Sequence, residues 1–283
     1  MKIALIIPFP NWMEHLYYEL KDLRNEVLIN NCSENCDVIL GMSHNVWNII
    51  QQVHQEFPLI PLIVLNQDWY DYVDKTEDNW KNFIPLMKES KEIWSLSKAV
   101  ADQCEEKTGM KSKTYLHAYI IPREWGGKKN DYGYILQASR EDKNKRFEWF
   151  IKAAQELNIP YRVCHPNKNS REDYILNVKN CSIVVVASRE ESIGGITAME
   201  GAYCKKPILV GDNPGAKEVW GEDAHYFKTD SFFDFKKQLK WLWDNRYGKG
   251  VKKRIERAYN RVETKFLPHH MALRINNRLK QIL

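Results

Sequence analysis

At 283 residues, with 43% hydrophobic and 12% aromatic side chains, the chain holds apolar matter for two packed cores, which excludes a disordered or fibrous protein. No apolar run approaches the roughly 18 residues of a membrane span, which excludes a helical membrane protein. The net charge of +5 is unevenly spread: residues 1–121 hold 11 Lys+Arg against 17 Asp+Glu and residues 122–283 hold 31 against 20, so the second part suits a polyanion such as a nucleotide diphosphate.

In chain order, MKIALIIPFP is apolar only briefly and lacks a small-residue cleavage site. It predicts a first buried strand, not a signal peptide, and with it a cytoplasmic location. KIALIIPF, EVLIN, CDVILGM, PLIVLN, EIWSLS and KTYLHAYI read as strands, with helices expected over 43–56, 78–89 and 97–107. The six cysteines lack zinc-site spacing and read as buried thiols. Then comes IIPREWGGKKNDYG, with Pro122, Gly126, Gly127 and a Lys-Lys-Asn-Asp cluster, placed where the charge balance changes sign. It predicts a hinge over 122–130 between a domain of residues 1–121 and one of residues 131–265.

In the second part YGYILQAS, YRVCH, CSIVVVAS, PILVG and HYFK read as strands, alternating with helices over 145–157, 171–179, 195–204 and 214–220. Continuous apolar strands alternating with helices predict parallel sheets covered on both faces, so two Rossmann-like, doubly wound α/β domains are expected. After residue 229 the pattern is helical. The last segment, 266–283, repeats Met271, Ile275, Leu279 and Leu283 at four-residue spacing, suited to docking one face back on the N-terminal domain.

One turn carries the chemistry. EESIGGITAMEG, residues 190–201, joins a buried strand to a helix, where unpaired amides and the helix dipole favour an anion. Gly194 and Gly195 permit close approach of a ligand to the backbone. No Gly-Lys-Ser/Thr follows, so this is not a Walker loop. Acids beside phosphate would repel it, so Glu191 and Glu200 suit sugar hydroxyls instead. No pair of acids ends a strand as a metal-binding DxD would, so no metal is expected.

With PILVGDNPGAKEVWG behind it, this stretch resembles the retaining GT-B glycosyltransferases of family 4 (glycosyl transferases group 1). Their members place an acid, a glycine loop and a second acid before a helix ending in Gly-x-Pro. Glu200-Gly201-Ala202-Tyr203-Cys204-Lys205-Lys206-Pro207 resembles the second part. Glu191 and Glu200 enclose eight residues where the family has seven, so either Glu191 with an insertion or Ser192 holds the first position. LQASREDKNKRFEWFIKAAQEL resembles the family's Gly-Arg and Lys-Gly segment, with Ser139 and Arg146 standing for the glycines.

The resemblance implies two Rossmann-like domains with a cleft between them and no cofactor beyond a nucleotide-sugar donor, expected to be a UDP-sugar. Arg140 and Lys145 would hold the donor diphosphate, where negative charge grows as the glycosidic bond breaks. Backbone amides around Ser192, Ile193, Gly194 and Gly195 would meet phosphate and sugar. Glu200 would hold the ribose and Glu191 the sugar hydroxyls. It also implies retention by front-face displacement, a donor phosphate oxygen helping to take the acceptor proton. In the first domain the family's histidine slot reads Asn66-Gln67-Asp68, leaving Asp68 as candidate acceptor base. The expected acceptor is a saccharide or small molecule, with a nucleic-acid base second. A UDP-sugar epimerase and a non-catalytic nucleotide-sugar-binding protein are the alternatives.

Overall fold

In the computed structural model the described residues are all but 8–13, 43, 68–76, 113, 128, 142, 166–167 and 192. The candidates Asp68 and Ser192 therefore lie outside the described residues. The chain divides into two compact units, residues 1–118 with 268–283, and residues 119–267.

The first unit holds a parallel sheet of β1 (Lys2–Ile6), β2 (Glu26–Ile29), β3 (Val38–Gly41), β4 (Leu62–Asn66), β5 (Glu92–Ser95) and β6 (Thr114–Tyr115), in the order β2-β1-β3-β4-β5-β6. Every residue of β3 and β4 is buried, as continuous apolar runs demand of a sheet covered on both faces. Helices α1 (Glu14–Asp22), α2 (Trp47–Glu56), α3 (Glu77–Glu89) and α4 (Lys98–Thr108) connect the strands. Ser97 caps α4 by accepting from the Val100 amide, and Gly109 ends it in the left-handed conformation.

The second unit is a parallel sheet of β7 (Ile135–Ala138), β8 (Tyr161–Cys164), β9 (Ile183–Val186), β10 (Ile208–Gly211) and β11 (His225–Phe227), in the order β11-β10-β9-β7-β8. It is crossed by α5 (Phe147–Glu156), α6 (Arg171–Asn180), α7 (Ile196–Tyr203), α8 (Pro214–Trp220), α9 (Phe232–Asn245) and α10 (Lys249–Lys265). Small residues let α7 lie close on β9: a Cβ on Gly201 would sit 2.7 Å from a Val184 methyl. The direction in which the parallel strands are laid down reverses between β7 and β9, which leaves a crevice beyond their carboxyl ends.

Pro122–Trp125, inside the segment expected to be a hinge, forms a 3-10 turn whose Trp125 is fully buried in the second unit. The last helix, α11 (Pro268–Ile282), belongs to the first unit. Its Met271, Ile275 and Leu279 are fully buried, while Leu283, the fourth of the spaced residues, is half exposed. Arg278 pairs with Glu92, and the Arg274 guanidinium donates to the Leu116 carbonyl at 3.0 Å. All six cysteines are free and buried. No helix among the described residues is long and apolar enough to cross a membrane.

Candidate donor site

The loops after β7 and β9 leave the sheet side by side at the point where its winding reverses, because these strands are neighbours. One residue zips them together. The Asn144 side-chain amide donates to the Glu190 carbonyl at 2.9 Å, and its oxygen accepts from the Glu190 amide at 2.9 Å. The Asn144 carbonyl accepts from the Arg189 amide at 2.8 Å. This register sets Lys145 opposite Glu191: Nζ lies 2.5 Å from Oε1, with side chains only 13% and 11% exposed. The Gln137 amide, buried at the end of β7, donates to the Lys145 carbonyl. Arg140 stands exposed two residues beyond β7.

Next comes the glycine turn. Gly194 and Gly195 hold φ of 71° and 82°, left-handed values that favour glycine. The Gly194 carbonyl accepts from the Trp220 indole at 2.9 Å, and Ile193 is buried. Gly195 precedes the first turn of α7, where helix geometry leaves amides without intrahelical partners. An anion at this edge would meet those amides and the Lys145 ammonium.

Glu200, one turn into α7, is 3% exposed. The Tyr174 hydroxyl donates to its Oε2, and Arg171 Nη2 lies 3.3 Å from its Oε1. Arg171 also pairs with Glu124 and lies over the rings of Trp125 and Tyr174, 5.5 and 4.9 Å from their centroids. Thr197 ties α7 to β7 by donating to the Ala138 carbonyl at 2.7 Å. Lys145 and Glu191 thus meet on the neighbouring loops after β7 and β9, Gly194 and Gly195 follow Glu191 on one of them, and Arg140 lies on the same loop as Lys145. Glu200 sits deeper, with both carboxylate oxygens engaged.

Burial pushes the Glu200 carboxyl up to about 7, against the opposing pull of Tyr174 and Arg171. An acid held above its unfolded value binds its proton more readily when folded, so stability falls as pH rises from about 4.5 to 7. The expected loss from this group is on the order of 3 kcal/mol. Glu200→Gln should flatten the stability profile between pH 5 and 8. An unchanged slope in denaturant titrations at those pH values would remove Glu200 as its source.

Several contributors were not among the sequence candidates. Asn144 lies in KNKR, where it reads as one polar residue in a basic string. Arg171 and Tyr174 are three apart on one helix face, but nothing in their spacing points to Glu200. Arg146, where the family carries glycine, adopts the left-handed φ of 46° that explains the glycine. Its guanidinium lies 4.2 Å from the Trp149 ring centroid and bonds Asp230 at 2.9 Å. Among the described residues no three His, Cys, Asp or Glu side chains are grouped to hold a metal.

Residues 127–261 match the family Glycosyl transferases group 1. No curated protein matches the chain in sequence. Three solved structures share the fold along nearly their whole length. HepE of Anabaena, solved with UDP, is 13% identical with a TM-score of 0.73, over 99% of this chain and 100% of that one. Sucrose-phosphate synthase of Thermosynechococcus elongatus is 11% identical with a TM-score of 0.78, over 100% and 99%. A glycosyltransferase of Rickettsia africae is 14% identical with a TM-score of 0.67, over 99% and 98%. The fold is GT-B.

Proposed function

We propose that this chain, a glycosyltransferase whose residues 127–261 carry a group 1 domain, moves a sugar from a UDP-sugar to a hydroxyl of a saccharide or small molecule. The observation that carries the proposal is the Lys145–Glu191 pair, which sets an ammonium against the loop that leads three residues later into the Gly194–Gly195 turn, where the second sheet reverses its winding. That crevice is where doubly wound sheets bind ligands, and cation and amides there suit a diphosphate. HepE, of the same fold, has been solved with UDP and with UDP-glucose, which supports uridine as the nucleotide.

In this mechanism Lys145 and Arg140 take up the charge that develops on the departing diphosphate, and preorganised amides around Gly194–Gly195 share it. Glu191 orients sugar hydroxyls. Glu200 serves the ribose, and a ribose hydroxyl reaching Oε1 would take the place of Arg171 there. Transfer proceeds with retention, a donor phosphate oxygen accepting the acceptor's proton on the face from which UDP leaves.

Radiolabelled UDP-sugars incubated with and without candidate acceptors test this. Transfer, or slow hydrolysis to UDP and free sugar, is expected. An isomerised donor would mark an epimerase, and an untouched donor that still binds would mark a non-catalytic binding protein.

A further inference from the structure

The Lys145–Glu191 pair joins two groups that the donor would need separately, the one for phosphate and the other for sugar. Resting on the donor-site reading above, we propose that this pair is a latch by which the site distinguishes an intact nucleotide sugar from the free nucleoside diphosphate. The ammonium and carboxylate are 2.5 Å apart, and both side chains are nearly nine-tenths buried. A diphosphate oxygen approaching Lys145 competes with Glu191 for the same protons and is repelled by its charge.

Glu191 therefore has to turn aside. Asn144 pins the neighbouring Glu190 at both its amide and its carbonyl, so the rotation falls to the Glu191 side chain and not to the loop. A displaced carboxylate at this depth needs hydrogen-bond donors, because an unpaired buried charge is costly. Sugar hydroxyls supply them. A free diphosphate has no such donors and brings more negative charge. An intact donor thus offsets the opening of the latch and the spent diphosphate does not, which favours release of product after transfer.

Titration calorimetry with UDP, and with whichever UDP-sugar the wild type turns over, tests the latch. The wild type should bind the UDP-sugar at least about tenfold more tightly than UDP. Glu191→Gln, near in shape and without charge, should bind UDP about tenfold more tightly than the wild type and bring the two affinities close together. Glu191→Asp keeps the charge on a shorter reach and should lie between them; it also stands in should the glutamine variant fail to fold. UDP binding that is unchanged or weaker in Glu191→Gln, with UDP-sugar binding intact in the wild type, overturns the latch while leaving the donor site standing. A wild type that binds neither UDP nor any UDP-sugar overturns both.

Discussion

Replacing Lys145 by Met is expected to lower kcat/KM for sugar transfer by about 10²–10³-fold, or about 2.7–4 kcal/mol of transition-state stabilisation. Methionine keeps the length of the chain and removes the charge. In the proposed role the lost interaction is one that strengthens as the glycosidic bond breaks, so kcat should fall along with kcat/KM. The substitution also strands Glu191, whose side chain is 11% exposed and whose only described ion pair is with Lys145. Some loss of stability should therefore accompany the loss of rate. Combining Lys145→Met with Glu191→Gln separates the two effects. The pair should restore the melting temperature, because no buried charge is left alone, and leave the rate low, because the ammonium proposed to face the leaving group is still missing. Single-turnover assays at saturating donor would show it. A Lys145→Met enzyme within threefold of wild type would end the assignment of this ammonium to the diphosphate.

The strands were legible because parallel sheets bury both faces. IVVV of β9 is apolar throughout, LIVLN of β4 is apolar up to Asn66, and both are buried throughout. Helix α1 was not among the predicted helices. Only Leu16 and Leu20 of EHLYYELKD are buried among its described side chains, too narrow a stripe to stand out. The glycine turn was legible from two adjacent glycines at a strand-to-helix junction, and both adopt positive φ. Its partners were not. Lys145 and Glu191 are 46 residues apart, as are Asn144 and Glu190, and only the adjacency of β7 and β9 brings them together. Glu200 was legible as a residue of interest, but its burial beneath Tyr174 and Arg171 depends on where α6 lies. Sequence spacing within a segment predicts which face a residue shares; it does not predict what another segment lays over that face.

Gly194→Ala is expected to destabilise the second unit by about 2–4 kcal/mol, the sum of a backbone cost and a packing cost. The backbone part arises because φ is 71°, where a Cβ crowds the following carbonyl at about 1–2 kcal/mol. The packing part arises because the new methyl would sit 2.8 Å from the Trp220 indole nitrogen and 2.8 Å from Val219 Cβ. Neither neighbour yields cheaply. Trp220 is fully buried, and its indole N–H is the donor to the Gly194 carbonyl at 2.9 Å, so turning the ring away gives up a buried hydrogen bond. The turn itself has to move instead. Gly195→Ala is the comparison for packing alone: its φ of 82° with ψ of 116° lies outside the left-handed well and carries a larger backbone cost, but its nearest neighbour, a Val186 methyl, stands off at 3.3 Å. Thermal unfolding should therefore place both variants below wild type, Gly194→Ala by about 5–15 °C. A Gly194→Ala protein that melts with the wild type would mean that the indole does not wall the turn. If the loss is found, Trp220 is what fixes the Gly194 backbone against the sheet. Donor affinity in Gly194→Ala should then fall as well, because the amides proposed to meet the phosphate are displaced with the turn.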